Sequence, residues 1–297
     1  MLLLPKNIPF QKIENELTSF HKINLYLLRL DTIDLYTGGN KFFKLKYNLE
    51  EAKRQGFKKI LTFGGAWSNH LAAAATMNNN PFSIIAVVRG EEPNVYSDTL
   101  NYCKEQGVKL HFVSRAEYRK KTSHEFNEEL KIKFGEFYLL PEGGSNAFAV
   151  KGCREIIDYA PIDFDYICTP LGSGGTLAGI ATGLNAHQQA LGFSALKGAE
   201  YLSDEVSKLI QDAGGIQDSE FKIINAYHFG GYAKTTLELL AFKNDFETKF
   251  TIPLDYVYTA KMMYGIFDLI QRSYFIEDST IVAIHTGGLQ GNKGFEK

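Results

Sequence analysis

Five glycine clusters, at 38–39, 64–65, 143–144, 172–175 and 287–288, punctuate this chain, and most fall where an apolar run gives way to a helical pattern. KKILTF runs into Gly64-Gly65 and SNHLAAAATM, FYLL into PEGGSN and AFAVKGCREIIDY, and FDYICTP into LGSGGTLAGIATGL. FSIIAVV, VKLHFV, a stretch near Leu196, FKIINAY and TIVAIHTGG read as further strands, and helical patterns cover 42–52, 115–134, 204–212, 234–247 and 259–272. Strands that alternate with helices of about ten or more residues predict βαβ units and parallel sheets. In open α/β sheets, ligands bind beyond the carboxyl ends of the strands, where these glycines sit. A tight turn can need glycine for backbone geometry alone, but five clusters point together to one ligand crevice.

The bulk numbers exclude several classes. With 32 basic and 34 acidic residues among 297, no global field attracts nucleic acid or an anionic membrane. MLLLPK is too short for a secretory apolar region, and no apolar run approaches the roughly 20 residues of a membrane helix. Cys103, Cys153 and Cys168 are scattered and odd in number, as expected of reduced thiols in a cytoplasmic enzyme. The seven histidines form no HxxxH, HExxH or Cys/His cluster, so no metal site is expected.

LGSGGTLAG, residues 171–179, reads as a phosphate cup. Backbone N–H groups around Gly172, Gly174 and Gly175 could close on an anion, with Ser173 and Thr176 adding hydroxyls. The loop lacks the GK[ST] of a nucleotide-triphosphate site, and Leu177 stands where GxGxxG needs its third glycine. Glu200, about 20 residues past Gly179, keeps an NAD-dependent oxidoreductase open as an alternative. A cup without a metal is the simpler reading. Lys41 in GGNKFFKLK sits at a helix start, where the helix field disfavours a cation. A phosphate cup plus a lysine with reason to be neutral suggests pyridoxal phosphate, which a lysine carries as a Schiff base.

GGNKFFKLKYNL, GGAWSNH, GSGGTLAG, VYTAKMM and HTGG occur in this order. The chain thereby resembles the 1-aminocyclopropane-1-carboxylate deaminase and D-cysteine desulfhydrase family, over about residues 27–290. These are fold-type II pyridoxal phosphate enzymes related to the tryptophan synthase β-subunit. The resemblance implies a two-domain α/β fold with twisted parallel sheets. A small domain at 47–151 would be inserted into a large one made of 1–46 and 152–297, and homodimers are usual. It implies that Lys41 carries the cofactor, Ser68 meets the substrate's carboxylate and reacting carbon, and Asn69 bonds the cofactor's phenolic oxygen. Gly172, Ser173, Gly174, Gly175 and Thr176 match the phosphate loop. Tyr258 matches a proton-transfer group and Thr259 the partner of the pyridine nitrogen. His70 and Thr286 would line the substrate pocket. D-cysteine desulfhydrases carry small hydroxyl residues where Thr259 and Thr286 stand, whereas cyclopropane-opening deaminases carry glutamate and leucine. The implied activity is therefore α,β-elimination from D-cysteine, with deamination of aminocyclopropane carboxylate as the alternative.

Plainer readings accompany these roles. Ser68 and Asn69 could cap the helix after them, Tyr258 could be a core tyrosine, and Thr259 could be an N-cap. His285 reads as a hydrogen-bonded strand residue, and Lys44 and Lys46 as solvated helix positions. Two stretches depart from the family pattern. LRLD keeps only Arg29 and Asp31 of a KRED-like stretch, and GGYAKTTLE, with Gly231, Tyr232 and Lys234, replaces a PNEGT-like loop that shapes the substrate pocket.

Overall fold

The computed structural model describes residues 7–78, 81–215 and 221–295, so MLLLPK lies outside the described residues. The ten strands among them are β1 (Phe10–Ile13), β2 (Asn24–Arg29), β3 (Lys59–Gly64), β4 (Ser83–Arg89), β5 (Lys109–Val113), β6 (Tyr138–Leu140), β7 (Tyr166–Leu171), β8 (Gln189–Ser194), β9 (Phe221–Ile224) and β10 (Thr280–His285). They form a six-stranded sheet in the order β1-β2-β10-β7-β8-β9 and a four-stranded sheet in the order β5-β4-β3-β6. Every pairing is parallel except β1 with β2.

Both sheets are covered on both faces, which is why their strands read as nearly continuous apolar runs. The period-2 alternation still sorts the side chains. Along β10, Ile281 and Ala283 join one hydrophobic cluster, and Val282 and Ile284 join the cluster on the other face. Along β4, Ile84, Ala86 and Val88 face one cluster, and Ile85 and Val87 the other.

Three of the differences from the sequence reading bear on the two sheets and the helices that cover them. The segment NLYLLR, which no glycine punctuates, is an inner strand: β2 runs parallel to β10 in the register Asn24↔Thr280 to Arg29↔His285. The helix expected over 115–134 is two, Arg115–Tyr118 and His124–Phe134. Ser123 interrupts it because its hydroxyl accepts from Phe126 N–H and starts a new helix. The strand expected near Leu196 is Gln189–Ser194, held by β7 from Tyr166↔Gln189 to Leu171↔Ser194; its polar start masked it.

Candidate active site

A cleft of about 980 Å³ opens at the carboxyl ends of the strands of both sheets. Its walls come from the turns that follow β3 (Gly65 to His70), β6 (Pro141 to Ser145), β7 (Gly172 to Thr176) and β10 (Thr286 to Asn292), and from the start of the Asn40–Arg54 helix. The glycine clusters thus converge because parallel strands all end on one side.

Gly39 caps the Asn40–Arg54 helix at φ 70°, and a Cβ there would lie 1.9 Å from Thr286 O. Only glycine lets the helix start against the turn after β10. Lys41 follows, its Nζ donating to Asn40 Oδ1 at 2.9 Å, while Asn40 Nδ2 donates to Thr176 Oγ1 at 2.8 Å. Burial lowers the Lys41 amine to about 7, with the charge of Lys44 as the next cause. Desolvation thus gives this amine a reason to be neutral beyond the helix field.

Lys44 corrects the expectation of a solvated residue. It is 3% exposed. Its Nζ donates to Ser145 Oγ at 2.9 Å, Gly143 O at 3.2 Å and Ser173 Oγ at 3.3 Å, and burial lowers its amine as well. A Cβ on Gly175 would sit 3.3 Å from that Nζ, so the ammonium lies inside the loop 172–176. The i,i+3 spacing from Lys41 was the available signal, because it places both amines on one helix face. Lys46 is partly buried, donating to both carboxylate oxygens of Glu155.

Across the cleft, Ser68 Oγ accepts from Leu71 N–H at 3.2 Å and caps the Asn69–Ala75 helix, while still lining the cleft. Asn69 Oδ1 accepts from Gln290 Nε2 at 2.8 Å. His70 is buried, and burial with the charges of Lys41 and Lys44 lowers it to about 3. The Thr62 hydroxyl donates to Leu140 O, so it accepts from His70 Nε2–H at 2.7 Å. His70 Nδ1 is then a buried lone pair without a partner among the described residues.

The turn that leads into the Thr259–Gln271 helix supplies the floor, through Asp255, Val257 and Tyr258. Asp255 accepts from Val257 N–H (3.0 Å), Tyr258 N–H (2.8 Å), Thr259 N–H (2.8 Å) and the Thr259 hydroxyl (2.6 Å). Thr259 is fully buried and does not line the cleft; Asp255 and Thr286 do. Tyr258 lies beside the phosphate loop, since a Cβ on Gly172 would be 3.2 Å from its hydroxyl oxygen. Burial pushes its phenol well up, and a hydrogen bond to Tyr232 adds to this. The two rings meet edge to face at 6.1 Å. Tyr232 belongs to the stretch that departs from the family pattern, where Phe229, Gly230, Gly231 and Ala233 all have positive φ. Lys261, 1% exposed, donates to His228 O at 2.9 Å and Gly231 O at 2.8 Å, and so fastens that loop. His285 is hydrogen bonded as expected, with Nε2 at 2.7 Å from Pro253 O and Nδ1 accepting from Gly287 N–H. Arg29 donates twice to Asp31.

A family model for pyridoxal-phosphate dependent enzymes matches residues 4–287. The chain belongs to this pyridoxal-phosphate dependent enzyme family. It is 32% identical to the bifunctional D-cysteine desulfhydrase/1-aminocyclopropane-1-carboxylate deaminase of Arabidopsis thaliana, over 90% of this chain and 73% of that protein. It is 28% identical to D-cysteine desulfhydrase of Yersinia enterocolitica, over 94% of this chain and 91% of that one. A crystal structure described as an ACC deaminase homologue superposes with a TM-score of 0.85 at 28% identity, covering 98% of this chain and 93% of the other. The chain is therefore a fold-type II enzyme of the deaminase and desulfhydrase group. The dinucleotide reading finds no support: Glu200 is exposed and lines no part of the cleft. Among the described residues no cluster could hold a metal ion, and no helix is long and apolar enough to cross a membrane.

The cleft suits the cofactor of this pyridoxal-phosphate dependent family. A buried lysine amine and two hydroxyls face a loop whose glycines leave room for an anion. One neutralisable lysine stands beside it. Asn69 Nδ2 points to the space that a Cβ on Gly288 would fill, at 2.4 Å.

Proposed function

We propose that this enzyme is a D-cysteine desulfhydrase, converting D-cysteine and water to pyruvate, hydrogen sulfide and ammonia. The observation that carries this is the neutral Thr286 hydroxyl in the cleft, with the oxygens of Asp255 occupied by four donors. When bound, pyridoxal phosphate draws electrons from the substrate's α-carbon, and it does so less strongly when its ring nitrogen faces a hydroxyl instead of a free carboxylate. Thiolate is a good leaving group and tolerates the weaker sink, whereas a cyclopropane ring does not supply one.

The side chains divide the work. Lys41 would carry the cofactor, and its free amine would take the proton from the substrate's α-carbon. A group near 7 is matched to that task at neutral pH. Lys44, Ser145, Ser173 and Thr176 hold the phosphate. Asn69, which lies against Gly288 and Gly291, would hold the cofactor's phenolic oxygen. Ser68 orients the substrate carboxylate, His70 lines the pocket, and Tyr258, with Tyr232 beside it, delivers a proton to the leaving group.

Both substrates are to be assayed on one preparation. Pyruvate and sulfide from D-cysteine should form faster than 2-oxobutyrate from aminocyclopropane carboxylate; the reverse order overturns the proposal.

A further inference from the structure

The segment after β10 crosses from the six-stranded sheet to the wall built by the four-stranded one. Asn292 Nδ2 donates to Leu254 O, Lys293 pairs with Asp98 at 3.1 Å, and a Cβ on Gly294 would sit 3.1 Å from the Trp67 ring. Gln290 lies in this strap, 9% exposed and lining the cleft. Its Nε2 donates to Asn69 Oδ1 at 2.8 Å. Its Oε1 is buried and has no partner among the described residues.

These facts define a pair of amides joined by one hydrogen bond. Each amide has one donor end and one acceptor end. If both turned over together, Asn69 Nδ2 would donate to Gln290 Oε1 and the bond count would be unchanged. No partner of Gln290 Oε1 opposes that turn. The choice between the two registers falls to whatever faces the far end of Asn69, beside Gly288. An anionic oxygen there requires a donor, and that is the register observed: Oδ1 held by Gln290 and Nδ2 directed at the open space.

We propose that Gln290 is a positioning residue that keeps Asn69 a hydrogen-bond donor toward the cofactor's phenolic oxygen, and so holds that oxygen in its anionic form. The proposal rests on the reading that Asn69 faces this oxygen. Nothing in the motif GGAWSNH supplies the device; it comes from a glutamine 221 residues away in sequence.

The test uses the holoenzyme and reads the ratio of visible to near-ultraviolet absorption of the bound cofactor, which reports its phenolic oxygen as anion or neutral phenol. Gln290→Glu presents only acceptors to Asn69, which must then turn its Nδ2 toward the strap and its Oδ1 toward the cofactor. The ratio should fall at least about tenfold, the effect of one lost hydrogen bond to a charged oxygen. It should recover at low pH, where the introduced carboxyl can donate. Gln290→Leu should give an intermediate fall, and its melting temperature and circular dichroism check the fold. Asp98→Ala, which breaks the strap's ion pair to Lys293, should leave the ratio unchanged. Asn69→Ala is the reference. If it lowers the ratio and Gln290→Glu does not, Gln290 has no part in orienting the amide. If Asn69→Ala also leaves the ratio unchanged, the reading of Asn69 fails and the proposal falls with it.

Discussion

Lys41 and Lys44 stand three residues apart on one helix, and the charge of Lys44 is the second cause, after burial, of the lowered Lys41 amine. On the proposed reading the two lysines divide a single task. One is held near neutrality for covalent work, and the other stays where an anion would meet it. Lys44→Met should weaken pyridoxal phosphate binding about 10- to 100-fold, the scale of one charge-assisted hydrogen bond to a phosphate. Equilibrium dialysis of the apoprotein measures it. After borohydride reduction, peptide mass mapping should place the cofactor on Lys41 and not on Lys44 or Lys46.

His70 makes stability pH-dependent. Its value is about 3 in the fold against 6.5 without the fold's burial. Between those values the unfolded chain binds a proton that the native chain does not, so stability falls as pH drops from about 6.5 toward 3. Thermal melts of the apoprotein should show that His70→Gln flattens this part of the profile. A variant profile as steep as the wild type's would contradict the assignment.

The ring nitrogen should be unprotonated in the resting enzyme. Thr286 offers a neutral hydroxyl in the cleft, whereas Thr259 gives its proton to Asp255. Nitrogen-15 NMR of labelled cofactor decides this, and a protonated signal would argue against it. Thr286→Val should keep the nitrogen unprotonated and weaken cofactor binding about tenfold.

Lys261 fastens the loop that carries Tyr232. Lys261→Met strands two carbonyls in a backbone already bent to positive φ at four residues. We expect a loss of about 2 kcal/mol in stability and a rise in KM of about tenfold as Tyr232 leaves Tyr258. Denaturant titration and steady-state kinetics separate the two effects, and an unchanged KM would show that the loop holds its place without the lysine.

Gly39→Ala sets a Cβ 1.9 Å from Thr286 O at a φ of 70°. The clash is with backbone, so the cost should be about 3 kcal/mol or more. Soluble expression with an unaltered melting temperature would overturn this.

The alternation of apolar runs, glycine pairs and helical patterns was enough to establish parallel sheets and to place a cleft at their carboxyl ends. Both follow from local chemistry: period-2 or continuous apolar strands, and turns that only glycine makes easily. The candidate carrier lysine and the candidate phosphate loop were legible for the same reason, since each is marked by residues adjacent in sequence. What the sequence could not reveal depends on contacts between distant segments. Lys44 looks like a surface lysine until Ser145 and Ser173 arrive from other strand ends. Thr259 looks available until Asp255 takes its hydroxyl proton and burial removes it from the cleft. Strand β2 carries no punctuation and gains its place by pairing with β10 on one side and β1 on the other. Gln290 has no signal at all before the chain folds Asn69 against it. Hydrogen-bond direction and desolvation are properties of neighbours in space, so tertiary structure alone decided which of these polar groups face the cleft and which are already spent.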